Sequence, residues 1–294
     1  MSAQPFDTAL PVKAASGNLV WRRLKSDPLG LLGLVLVLLV ILTGLFAPWI
    51  TPYDPFKLNI PQKFSPPSFE HLLGTDQLGR DVFSRVIAGS RIALSVGIST
   101  IAISLAIGMI LGLLAGYGPR WLDNLLMLIF DSIYSFPAII LGLTVITLLG
   151  ASVSTLMLVI IAIQTPAYAR LTRTATLSLK TSEFIQAIEA MGASKLRVIL
   201  VHILPNVVGP LLIIASMDIP SVVALEAGLT YLGMGIPPPA PSWGRILQEG
   251  FQVIRVAPWI VVAGGIPLII TTLGFTFLGE SLRDLLDPKL RRVV

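Results

Sequence analysis

Six apolar runs, at 29–50, 92–117, 125–149, 153–167, 207–232 and 259–278, divide the chain, with polar segments between them. About 20 helical residues, each rising ~1.5 Å, cross the ~30 Å hydrocarbon layer, so most of these runs predict a membrane helix. The fourth run is short and meets Pro166, and its helix is expected to continue through 169–179. The predicted fold class is an all-α membrane protein with six transmembrane helices. Asp27 and Pro28 supply an N-cap and a first-turn proline for the first helix. The polar lead before it does not read as a cleavable signal, because the apolar run is too long and no small-residue cleavage site follows.

Composition agrees with the pattern. Hydrophobic residues make up 54% and charged residues 13%, and the mean hydropathy is +0.84, a bilayer's balance rather than a soluble domain's. The absence of cysteine excludes disulfides and thiolate chemistry. The net charge of +5 matters through its placement. Lys and Arg are twice as frequent around the termini, Arg120 and 169–206 as in 51–91 and 233–258, which predicts both termini in the cytoplasm. The expected contact for this charge is membrane lipid, not nucleic acid. No internal repeat stands out, which argues against the inverted-repeat secondary transporters.

Two polar loops are long enough to carry function. In 181–197, Phe184, Ile185, Ile188 and Met191 recur at helical spacing as one apolar stripe, and Glu183, Gln186 and Glu189 form another face. Gly192 allows a turn, Ser194 caps a second short helix over 195–203, and Pro205 is expected to end it. Such a ridge suits docking into a groove on a partner, and equally suits lying on lipid headgroups. In 233–258, the run Pro237-Pro238-Pro239-Ala240-Pro241 predicts a stiff extended segment, with Trp243 at headgroup depth.

Ionisable residues inside apolar runs need protein or water around them. Asp218 and Glu226 are eight apart, on roughly one face, and with Met217 and Tyr134 are candidates to line a translocation path. Their structural alternative is helix capping or interhelical hydrogen bonding, which is also the expectation for Asp131. Gly108 and Gly112 suit close helix contact, and Pro137, Pro220 and Pro267 interrupt helices. No phosphate loop of the Gly-x-x-x-x-Gly-Lys-Ser/Thr kind is present. His71 and His202 fall on opposite sides of the membrane, and no nucleophile–base set is legible.

The order Phe184-Ile185-Gln186-Ala187-Ile188-Glu189-Ala190-Met191-Gly192-Ala193-Ser194, then His202-Ile203-Leu204-Pro205-Asn206, resembles the "EAA" loop of permease subunits in ATP-binding-cassette importers. The stretch from His71-Leu72-Leu73-Gly74-Thr75-Asp76 through Gly79-Arg80-Asp81 to Arg85 is similar to an outer-loop signature of the second permease in peptide, glutathione and nickel systems. Tyr168–Arg173, Leu225–Gly235 and Pro241–Gly244 agree with the same family.

The resemblance implies a type I importer core of five helices plus an N-terminal helix, in the bacterial inner membrane. It implies segments at 1–28 (cytoplasmic), 29–50 (first helix), 51–90 (outer loop), 91–280 (core, with a coupling loop at 169–206) and 281–294 (cytoplasmic tail). It also implies a heterodimer with a homologous second permease, two cytosolic ATP-binding subunits that carry ATP and Mg, and an extracytoplasmic substrate-binding protein. The chain itself would bind no cofactor or metal and catalyse nothing. ATPase coupling would fall to Glu183, Phe184, Gln186, Ala187, Glu189, Ala190, Gly192, Ala193 and Ser194, and the outer-loop signature to Gly74, Thr75, Asp76, Gly79, Arg80 and Asp81. Cargo would be di- or oligopeptides, with nickel chelates or glutathione as alternatives. Where the family has Glu-Ala-Ala, this chain has Gln186-Ala187-Ile188, so Glu183 or Glu189 would have to supply the missing charge. The reading from another class is a stand-alone ion-coupled transporter using the buried carboxylates.

Overall fold

The computed structural model describes residues 27–286, all helix and loop apart from one isolated bridge between Thr75 and Asp81. Expectations for 1–26 and 287–294 lie outside the described residues. Helix α1 spans Pro28–Ile50, and the Asp27 carboxylate caps it by accepting the Leu29 amide at 3.1 Å. The Ser281 hydroxyl and the Gly30 amide hold that carboxyl below the ordinary range, tying the start of α1 to the last helix.

Helix α2, Val82–Tyr117, is 36 residues long and starts ten residues before the apolar run expected at 92–117. The loop expected at 51–90 therefore ends at Asp81. The cause is tertiary: Asp81 caps the Ser84 amide at 2.7 Å, and Ser84, Arg85 and Ser90 are buried against other elements. The single helix expected over 125–149 is in fact α3, Arg120–Tyr134, and α4, Ala138–Leu149, bent by 90° across Ser135–Pro137. Pro137 has no amide to continue the ladder, and at about 18 Å α4 alone is too short to cross a bilayer.

Helix α5, Val153–Lys180, runs unbroken through Pro166, as the continuation past 167 requires. After α6, Glu183–Ala190, helix α7 extends over Lys195–Met217. Pro205 does not end it. Residues Val198–Ile203 form π-helical turns, which shift the hydrogen-bond partner and deliver Pro205 at the opening of an α-helical segment, where a missing amide costs little. The break falls instead at Asp218, inside the run expected to be one helix over 207–232, and Pro220 opens α8, Ile219–Tyr231. The 233–258 segment is not simply extended. It contains α9, Trp243–Gln252, capped by Ser242, before α10, Trp259–Leu286. Trp243 is buried within the protein, its indole N–H donating to the Val86 carbonyl at 3.0 Å.

Five described helices are long and apolar enough to span, or six when the bent α3–α4 pair counts as one. Loops 51–81 and 232–258 share one face, hereafter the loop face. Residues 181–194 lie on the opposite, short-helix face. The tightest packing joins α2 to α5. A Cβ at Gly108, Gly112 or Gly116 would lie 2.6 Å from Tyr168 Cβ, 2.5 Å from Thr172 Cβ and 2.8 Å from Thr176 Cβ, respectively. Only glycine permits that approach. Around this seam Leu156, Ile160, Val222 and Leu229 form the fully buried core.

Gly112→Ala should destabilise the purified protein by about 1–3 kcal/mol through overpacking. Gly209→Ala, where a Cβ meets nothing within 4 Å, is the control and should leave the thermal midpoint in detergent unchanged or higher.

Candidate functional site

Three groupings of polar residues stand out, and the first is α6. Its apolar stripe divides on folding. Ile185 is fully buried and Ile188 half-buried against the core, whereas Phe184 and Met191 stay exposed. The polar face divides too. Glu189 accepts from the Tyr117 hydroxyl at the end of α2, and the Lys180 ammonium sits 5.0 Å from the same ring. Gln186 donates to the Thr181 carbonyl at 3.2 Å. Glu183 has no ion pair among the described residues and remains exposed, as do Ala187 and Ala190. Gly192 turns the chain at φ +83°, Ala193 packs on the core, and the Ser194 hydroxyl caps α7 by accepting the Arg197 amide at 3.4 Å. The result is a short helix pinned along one side and bare along the other.

The second grouping lies where α5 meets the α7–α8 junction. Tyr168, on α5, is fully buried, and its hydroxyl donates to Asp218 Oδ2 at 2.8 Å. Two residues on, Arg170 pairs with Asp131 at 2.7 Å and stacks 4.7 Å from the Tyr134 ring centroid. Tyr134 is thus tied to α5 through Arg170, and Asp218 is tied to the same helix through Tyr168. Glu226 and Met217 do not join them. Glu226 is 1% exposed and accepts from the Thr230 hydroxyl at 2.8 Å, which in turn holds the Ile236 amide at 3.2 Å. That is hydrogen bonding within the fold, the structural alternative for this residue. Met217 packs against Gly279 of α10.

The third grouping is the 71–85 segment, where four charges are buried together on the loop face. Asp76 Oδ2 accepts from Arg80 Nε at 2.7 Å and lies 3.4 Å from Arg85 Nη1, and Glu249 of α9 is 3.1 Å from Arg80 and 3.0 Å from Arg85. Asp76 Oδ1 also accepts the Leu78 and Arg80 amides, closing a turn in which Gly79 has φ +72°. Gly74 has φ +68°, and the Thr75 hydroxyl is held by the Gln62 carbonyl. Asp81 caps α2 and takes a 2.9 Å contact from His71. The segment is thus a structural staple between loop, α2 and α9. No cluster that could hold a metal ion occurs among the described residues.

Sequence reasoning missed Tyr117, Tyr168, Arg170 and Glu249 as working partners. Tyr168 and Arg170 stood within a recognised motif, but nothing local marks Glu249, 164 positions from Arg85.

A family model described as the binding-protein-dependent transport system inner membrane component matches residues 108–292. The chain belongs to that family. A model for the N-terminal TM domain of oligopeptide transport permease C matches residues 17–67. The chain is therefore a membrane permease subunit of an ATP-binding-cassette importer. A dipeptide transport system permease protein of Alkalihalophilus pseudofirmus is 37% identical over 271 residues, covering 92% of this chain and 89% of the relative. A glutathione transport system permease protein of Escherichia coli O6:K15:H31 is 38% identical over 272 residues, covering 92% and 90%. Among solved structures, a chain of the inward-facing MetNI methionine ABC transporter superposes with a TM-score of 0.56 at 20% identity, covering 68% of this permease and 96% of that chain. This likeness shows the shared permease fold.

For the loop-face staple, Glu249→Gln should destabilise the permease by about 3–5 kcal/mol, because it leaves a buried guanidinium uncompensated. Adding Arg85→Met restores charge balance with Asp76–Arg80 intact. The double variant should be the more stable of the two by thermal unfolding.

Proposed function

We propose that this permease forms one half of the translocation path for di- or oligopeptides and works by alternating access. Its α6 is the seat on which a cytosolic ATPase pushes. The observation that carries the reading is the two-sided character of α6, with Ile185 buried in the core, Glu189 bonded to Tyr117, and Phe184 and Met191 bare. A helix lying on lipid would turn its apolar residues to one side. Here they point both ways, as a lever gripped by the bundle and offered to a groove requires. Relatives named for dipeptides, di/tripeptides and glutathione support a peptide cargo, since all three are short chains with free charged termini.

The complete importer would add a homologous second permease, two ATPases holding ATP and Mg, and an extracytoplasmic binding protein that presents cargo. The Lys and Arg bias supports both termini, and the short-helix face, lying in the cytoplasm. ATP-driven closure of the ATPases would move α6, and Tyr117 and the core contacts would pass that movement to α2 and α5.

Two outcomes test this. The chain has no native cysteine, so Met191→Cys provides a unique thiol. With the co-expressed ATPases carrying engineered cysteines, it should cross-link to an ATP-binding subunit. A chain recovered without any ATPase, and active alone with an ion gradient, would overturn the reading in favour of a secondary transporter. Separately, Tyr117→Phe and Glu189→Gln should each lower cargo-stimulated ATPase activity about threefold, the scale of one hydrogen bond. The double variant should fall no further.

A further inference from the structure

Asp218 sits where α7 gives way to α8, a position at which an aspartate normally earns its place as an N-cap. It does not cap. Its side chain makes no hydrogen bond to the first turn of α8, and only its backbone serves the junction, the amide donating to Ile214 at 3.1 Å and the carbonyl accepting from Val222 at 3.1 Å. The carboxylate is turned instead towards α5, where the Tyr168 hydroxyl donates to it at 2.8 Å. Tyr168 is fully buried, its Cβ pressed against Gly108, so the hydroxyl is a fixed donor rather than a mobile one.

Charge accounting leaves Asp218 short of a cation. Arg170, the nearby guanidinium, is held by Asp131 at 2.7 Å, and those two charges cancel. Asp218 has no cation within ion-pair distance among the described residues. A half-buried carboxylate within an apolar run, satisfied by one hydroxyl, favours a positive group from outside the chain. The place is open to one. Asp218 is itself only partly buried, and Tyr134, 44% exposed at the end of α3, is joined to the same helix α5 through Arg170.

We propose that Asp218 and Tyr168 form an ammonium-binding subsite in the translocation path that takes the free amino terminus of a peptide in transit. The proposal rests on the peptide reading above. The carboxylate accepts from the ammonium on its free oxygen while Tyr168 fixes the other. The ion pair is transient because the site supplies one charge and no enclosing cage.

The test uses the whole importer, permease pair, ATPases and binding protein together in liposomes, with radiolabelled Ala-Ala as the probe. Asp218→Asn should lower Ala-Ala uptake about tenfold, the scale of one charge-assisted hydrogen bond, while the variant assembles with its ATPases in wild-type yield and keeps the wild-type thermal midpoint. Asp218→Glu should restore most of the uptake, since it returns the charge. A loss of uptake accompanied by lower assembly yield or thermal midpoint, and not rescued by Asp218→Glu, would show a merely structural role and overturn the subsite, as would uptake that does not fall. Wild-type importer that hydrolyses ATP yet moves no Ala-Ala would refute the peptide reading itself, and the subsite with it.

Discussion

The rest of the structure depends on how closely α2 and α5 approach. Gly108, Gly112 and Gly116 remove side chains from one helix just where Tyr168, Thr172 and Thr176 stand on the other, so two backbones meet with nothing between them. In a bilayer the hydrophobic effect gives little reason for helices to associate, and contact of this kind supplies it. Both helices carry functional groups at points the seam fixes. From α2 come Arg85 at the loop face and Tyr117 at the other end. From α5 come Tyr168 and Arg170, and Arg173, which pairs with Asp123 of α3 at 2.6 Å.

Intramembrane and interfacial charges are handled in different ways within this frame. Asp131 and Asp123 each meet an arginine of α5, which pins the α3–α4 elbow to the central pair. Glu226 is withdrawn into the fold and organises the 232–242 loop through Thr230. Asp76 and Glu249 share two arginines in a buried set whose charges cancel, the arrangement that keeps such a cluster from being ruinous. Asp76, Asp123, Asp131 and Glu249 are thus matched by arginines, whereas Glu226 rests on a hydroxyl.

Much of this was legible along the chain, and the failures share a cause. Apolar runs located four of the spans, those holding 29–50, 92–117, 153–167 and 259–278, because a bilayer imposes the same requirement at every position. The turn at Gly192 and the cap at Ser194 were legible because they depend on neighbours a few residues away. What escaped depended on distant partners. The first turns of α2 look polar because Arg85 is neutralised by Glu249 far along the chain, and Trp243 is buried only because Gly89 leaves room for it. The break at Asp218 was hidden in a continuous apolar run, although Pro220 two positions later is a common opening for a new helix. Pro205 misled for the converse reason, since π-helical turns before it absorb the defect.

The length of α2 has a mechanical consequence. Its 36 residues make one helix about 54 Å long, well beyond the ~30 Å hydrocarbon layer, with no proline inside it. Pivoting by about 10° around its midpoint would carry each end through roughly 5 Å, in opposite directions. A push received beside Tyr117 would therefore reach Arg85 with its sense reversed and its size preserved. One uninterrupted helix would then work as a seesaw across the membrane, with its bent neighbours supplying the give.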